Sequence, residues 1–177
     1  GVYLSPDEIY LFTLLGALEA LRFGTTTIVD NYIYSDRTVM ALDQLGLRAV
    51  VSERLHDADL FQIPKGVYQF DENLGNELLE RNIELVKNWQ GHSNGRITCC
   101  IGTHAPDTCS TPYLKKARDA AEKLGLGLVI HLAQSPREQQ EIQKRSGKRV
   151  THYLNDLGLL GPQMIAGHCV FLSEDRK

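Results

Sequence analysis

Three histidines each follow a run of aliphatic or small residues: His104 after "CCIGT", His131 after "LVI" and His168 after "MIAG". Such runs are how the buried strands of a parallel sheet read, and α/β folds keep their chemistry at the carboxyl ends of those strands. Imidazole is the commonest side chain for holding a catalytic divalent metal. One strand-end histidine is more often a hydrogen-bonded structural residue, but three in succession turn the weighting toward a shared site. Gln134, three residues beyond His131, adds an amide that can donate and accept hydrogen bonds but cannot carry a proton at neutral pH. Asp30, ending "TTTIVD", reads either as support for such a site or as a turn cap, and Glu53 and His56, around the end of "RAVVSERL", read as a solvated loop. His92 and His152 fall in a loop and a helix away from the strand ends, while Cys99, Cys100 and Cys169 read as packing residues rather than thiolate ligands.

The elements that must position these side chains alternate strictly. Ser5-Pro6-Asp7-Glu8 forms a capping box with proline at the first helical position, and apolar residues at helical spacing carry the helix to Phe23-Gly24. The strand "TTTIVD" follows, then a helix over 35–45 and the strand "RAVVSERL". Beyond a longer connection come a helix over 72–89, the strand "RITCCIGT", a helix from Thr111 closed by Gly125, and the strand "GLVIH". Ser135-Pro136-Arg137-Glu138 reads as a second capping box, so Glu138 is expected to be structural rather than a proton carrier. A broken helical stretch to Gly158 and the strand "QMIAGH" complete five strands. Strands alternating with helices imply parallel βαβ crossovers. An open doubly wound sheet would show a glycine-rich phosphate loop after its first strand, and "TTTIVDNYIYSD" has no glycine there. The fold class expected is therefore α/β, a partial (β/α)8 barrel of about five units, because a complete one takes about 250 residues.

The bulk properties narrow the partners. The chain has 177 residues, 42% hydrophobic and 23% charged, enough for one core and no internal domain boundary across 1–177. A net charge of -3, with dispersed lysines and arginines, gives no footprint for nucleic acid or an anionic membrane. Four cysteines without C-x-x-C spacing suit a reducing cytoplasm, and no segment reads as a signal peptide or membrane span. The chain opens without methionine at a helix start and closes at "LSEDRK", the apparent beginning of another helix, so flanking strands are expected outside this sequence.

Read together, "GTTTIVD", "GTHAPDTCS", "LVIHLAQSPREQQE" and "LLGPQMIAGHCVFLSED" resemble successive blocks of the amidohydrolase superfamily, in the branch of S-adenosylhomocysteine/methylthioadenosine deaminases, guanine-type deaminases and triazine hydrolases. The resemblance implies a distorted barrel with one divalent ion, zinc first and iron second. Its ligands would be His131, His168, an H-x-H pair before Gly1 and an aspartate after Lys177. It implies that His104 contacts substrate, and that Gln134 stands where the family usually has the glutamate that moves a proton. The metal would lower the pKa of water to about 7 for attack on an amino-bearing heterocycle. With an amide at 134, the acid function is expected from His104, whose ordinary pKa near 6.5 suits it, or from residues outside the chain. A better leaving group such as chloride, or a weak site, would also accommodate the amide. Gln134 then becomes a substrate hydrogen-bonding group.

The expected parent is a metal-dependent hydrolase that deaminates a purine-like heterocycle. The alternatives are a triazine-type chlorohydrolase and a non-catalytic, metal-free barrel module. The isolated chain is expected to be inactive, because two histidines hold a catalytic ion only weakly, and to self-associate through open sheet edges as a homo-oligomer.

Overall fold

The computed structural model describes residues 4–172; the helix expected within "LSEDRK" lies outside them from Ser173 on. Helix α1 (Pro6–Arg22) starts where the sequence places it: the Glu8 amide donates to Ser5 Oγ at 3.3 Å, and the Ser5 amide donates to the Glu8 carboxylate at 2.7 Å. Strand β1 (Thr27–Tyr32), helix α2 (Ser35–Gln44) and strand β2 (Arg48–Leu55) follow, then a short 3-10 turn at Ile63–Lys65 and helix α3 (Glu72–Trp89). A tight turn, α4 (His92–Gly95), leads into β3 (Ile97–Cys99) and β4 (Ile101–Thr103). Helix α5 (Thr111–Leu124), strand β5 (Leu128–Leu132), the broken pair α6 (Pro136–Ser146) and α7 (Val150–Asp156), and strand β6 (Met164–His168) complete the chain.

All strand pairs are parallel, in the order β1-β2-β4-β5-β6 with β3 also on β2, and the sheet curls as a partial barrel with helices on its outer side. "RITCCIGT", read as one strand, is two segments broken at Cys100. The break has a physical cause in α3. Asn82, fully buried, donates through Nδ2 to the Cys100 carbonyl at 3.0 Å and accepts the Gly102 amide at Oδ1, also at 3.0 Å, so a side chain takes the place of ladder partners.

Two apolar clusters lie under the helices. Val39, Leu42, Val51, Leu85 and Ile97 join α2 and α3 to the first strands, and Leu55, Ile101, Leu114, Ile130, Ile142 and Leu154 join the later helices to the rest. Strand alternation sends the opposite set of side chains to the concave face. There Gly102 is obligatory, because a Cβ would lie 2.4 Å from both Asn31 Oδ1 and Ser52 Oγ, which hydrogen-bond one another at 3.2 Å. Leu11, Phe12, Leu15 and Leu18 of α1 are exposed. No described helix is long and apolar enough to cross a membrane.

Candidate active site

Parallel pairing aligns the carboxyl ends of β2, β4, β5 and β6 and so assembles one row of imidazoles. The ring centroids are 6.3 Å apart for His56 and His104, 5.5 Å for His104 and His131, and 5.1 Å for His131 and His168. His104 follows β4, and its carbonyl accepts the His131 amide at 2.9 Å. The register sets His131 opposite Gly167, whose missing side chain leaves room for the ring, since a Cβ there would stand 3.4 Å from His131 Nδ1.

The ring nitrogens are oriented by their partners. The Thr108 hydroxyl donates to the Ala105 carbonyl at 3.1 Å, so it accepts from His104 Nδ1 at 2.8 Å, and His104 Nε2 is left as an acceptor. His56 Nδ1 likewise donates to the Ala58 carbonyl at 3.1 Å. Burial, reinforced by the charges of Arg54 and the neighbouring imidazoles, holds His104 at about 3, far below the 6.5 that proton transfer at neutral pH would use. His131 and His56 are pushed down chiefly by burial; for His131 the neighbouring His168 adds to it. Neutral imidazole is the form that binds metal.

Gln134 sits on a turn held in an uncommon conformation. Ala133 has φ of 50°, and at the end of the adjacent strand His168 and Cys169 have φ of 65° and 56°, values that non-glycine residues seldom adopt. Both Glu138 oxygens fix the first of these turns, accepting the Ala133 and Gln134 amides at 2.8 Å each. Glu138 is thus structural, as the sequence suggests, but by another contact. Ser135 Oγ accepts the Glu138 amide at 3.2 Å, whereas the carboxylate serves residues 133 and 134 instead of closing a reciprocal capping box. The second turn is tied by the Cys169 amide, which donates to the Leu132 carbonyl at 2.8 Å.

Glu53 and His56 are not a solvated loop. Glu53 is buried at the outer side of β2, paired with Arg81 at 2.8 Å and accepting the Ser35 amide at 2.9 Å, which anchors the start of α2. His56 lines a cavity of about 530 Å³ with Tyr34, Arg54, Phe61, Leu74 and Arg81. Asp30 caps no turn: it lies within β1, which runs on to Tyr32, and its Oδ1 is buried without a hydrogen-bond partner among the described residues. Burial, and secondarily the charge of Glu53, raises it to about 6. His92 meets the Trp89 ring edge-on, while His152 lies in a helix, α7, and Cys99 and Cys100 are buried, as expected. Cys169 is partly buried against the later core cluster.

Sequence reasoning overlooked Arg54 and Asp107. Arg54 reaches over the Tyr32 ring at 5.0 Å and has a buried Nε without a partner among the described residues. A second cavity, of about 340 Å³, is lined by His104, Gln134, Asp107 and Arg137, among others. The fragment "THAPDTCS" contains Asp107 in plain view, but nothing in its spacing announces where the carboxyl points.

Among the described residues, no group of three or more histidine, cysteine or acidic side chains is placed to hold a metal. The adjacent imidazoles of His131 and His168 fit two positions of a site that needs further ligands.

A curled parallel sheet wrapped by helices, with imidazoles collected at its carboxyl edge, defines the barrel class of α/β folds. Comparison with known proteins narrows this class: the profile of the Amidohydrolase family matches residues 2–177, and the chain belongs to that family. It is 37% identical over 171 residues to a 5'-deoxyadenosine deaminase of Methanosarcina barkeri, covering 97% of this chain and 37% of that protein. It is also 37% identical over 172 residues, with the same coverages, to a 5-methylthioadenosine/S-adenosylhomocysteine deaminase of Desulfitobacterium hafniense. The crystal structure of an adenosine deaminase from Xanthomonas campestris with bound zinc superposes with a TM-score of 0.82 at 24% identity, covering 98% of this chain and 37% of that one. The chain therefore spans 37% of the length of these relatives.

Proposed function

We propose that residues 1–177 are one undivided section of a metal-dependent aminohydrolase, acting on an amino-bearing nitrogen heterocycle of the adenosine type. The observation that carries this reading is the row His56, His104, His131 and His168 along the carboxyl edge of the sheet. His131 and His168 would hold a divalent ion, zinc before iron, together with ligands from outside the chain. When bound, that ion supplies a water of lowered pKa as nucleophile. His104 offers Nε2 to a ring N–H or to the water, and Thr108 fixes the ring in that tautomer. Gln134 offers both a donor and an acceptor to the heterocycle edge from a turn that Glu138 holds rigid. The mouth is lined by Leu60, Phe61 and Ile63, apolar surface on which a flat ring can pack. The small heterocycle is the partner, with neither nucleic acid nor membrane.

The test is ammonia release from 5'-deoxyadenosine and methylthioadenosine by the full-length encoded protein loaded with zinc. His131→Ala and His168→Ala should each remove metal and activity together. No ammonia release by the zinc-loaded protein from either compound would defeat the reading. Gln134 specifically favours a second reading, hydrolysis of a halogenated ring, because chloride departs without a proton. Chloride release from a chlorotriazine, with no ammonia from the nucleosides, would establish that instead.

A further inference from the structure

The cavity in front of His104 and Gln134 has one carboxyl among its described lining residues, Asp107. The side chain is almost fully enclosed, with the residue 1% exposed. Its Oδ2 accepts the Tyr68 hydroxyl at 3.1 Å, while Oδ1 is buried with no hydrogen-bond partner among the described residues. The loop carrying it is firmly held: the Arg145 guanidinium donates to the carbonyls of Pro106, Asp107 and Cys109 at 3.1, 2.8 and 2.8 Å. The direction of the carboxyl is therefore set by the fold. A buried carboxyl oxygen left without a donor is destabilising, and such groups persist where a ligand completes them. The same cavity contains Gln134, whose amide has no proton to give at neutral pH.

We propose that Asp107 is the carboxyl that protonates the departing amino nitrogen at this site, the role an amide at position 134 cannot fill. The inference rests on the deaminase reading above. Water oxygen forms the new C–O bond at the ring carbon, the C–N bond breaks, and its electron pair leaves with nitrogen. The protonated Asp107 carboxyl gives that nitrogen its proton; one of the water's two protons restores the carboxyl, and the other ends on the ring nitrogen beside the new carbonyl as ammonia leaves. Ring carbonyl and ammonia are the products, with no oxidant or reductant involved.

The experiment compares Asp107→Asn, Gln134→Glu and the double variant in the zinc-loaded full-length protein, measuring ammonia release from 5'-deoxyadenosine alongside thermal unfolding. Asp107→Asn should lower kcat about 10²- to 10⁴-fold, leaving KM within about threefold, and Gln134→Glu in that background should restore most of the loss. A merely structural Asp107 would lower Tm, and a new carboxyl at 134 would not rescue it. Retention of kcat in Asp107→Asn, or loss without rescue, overturns the assignment while leaving the deaminase reading intact. A wild-type protein that releases no ammonia from either 5'-deoxyadenosine or methylthioadenosine removes both.

Discussion

Asp30 shows how a single buried carboxyl couples this fold to pH. Its Oδ1 has no donor among the described residues, Glu53 lies near enough to repel it, and burial raises its pKa from 3.8 to about 6. A raised folded-state value means that the folded chain holds a proton which the unfolded chain releases. Its contribution is fully present below pH 3.8 and is lost as pH rises through about 6, giving a penalty of at most about 3 kcal/mol above it. Asp30→Asn keeps the shape and removes the titration. The variant should match wild type near pH 4, exceed it by up to about 3 kcal/mol at pH 8, and show a shallower pH dependence between, the remainder belonging to other raised carboxyls such as Glu138, pushed up to about 7 by burial. Urea unfolding at several pH values measures this, and an Asp30→Asn curve parallel to wild type would refute it. The strand-end histidines and Gln134 were legible because each stands at a fixed offset from an apolar run. Asp30, Asp107, Arg54 and the backbone clamp of Glu138 were not, since their roles depend on where a side chain points among elements distant in sequence.

Helix α3 does more than cover the sheet. Its limits, Glu72 and Trp89, match the helix over 72–89 expected from the sequence, and the structure adds the Asp71 side chain as the cap of its first turn. Its service to the sheet was not legible, because Asn82 looks like any polar residue on a helix face. That side chain satisfies the Cys100 carbonyl and the Gly102 amide where the strand breaks, and β4 then continues to His104. Asn82→Leu would leave both backbone groups buried without partners, costing about 2 to 4 kcal/mol. Chemical denaturation should show that loss, and hydrogen exchange should localise it by faster exchange at Gly102 and neighbouring amides. A loss below about 0.5 kcal/mol would mean that water or a rearranged strand supplies the bonds instead. Parallel crossovers were implied by strict helix–strand alternation, and the observed order β1-β2-β4-β5-β6 is the sequential one of the barrel that the missing glycine-rich loop favoured.

At the scale of the whole molecule, two properties follow from what this chain presents. His131 and His168 offer two imidazoles to a metal, and the described residues add no third donor in reach. Calorimetry on the 177-residue chain should therefore find zinc binding that is weak and lost in His131→Ala, whereas tight stoichiometric binding would reveal a third ligand. The second property is association. Leu11, Phe12 and Leu15 lie 61%, 58% and 66% exposed on α1, far beyond the scattered apolar residues of an ordinary surface, and β1 and β6 are the edge strands of the sheet. Water against such a face favours its burial at about 25 cal/mol per Å², and the net charge of -3 repels only weakly. Sedimentation velocity should show the isolated chain self-associating as concentration rises, and Phe12→Lys with Leu15→Lys should shift it toward monomer without lowering Tm, because neither side chain is in the core. If the double variant associates as strongly as wild type, the edge strands rather than α1 drive assembly. Lysine placed at Ile165 on β6, 41% exposed, then becomes the substitution expected to separate the copies.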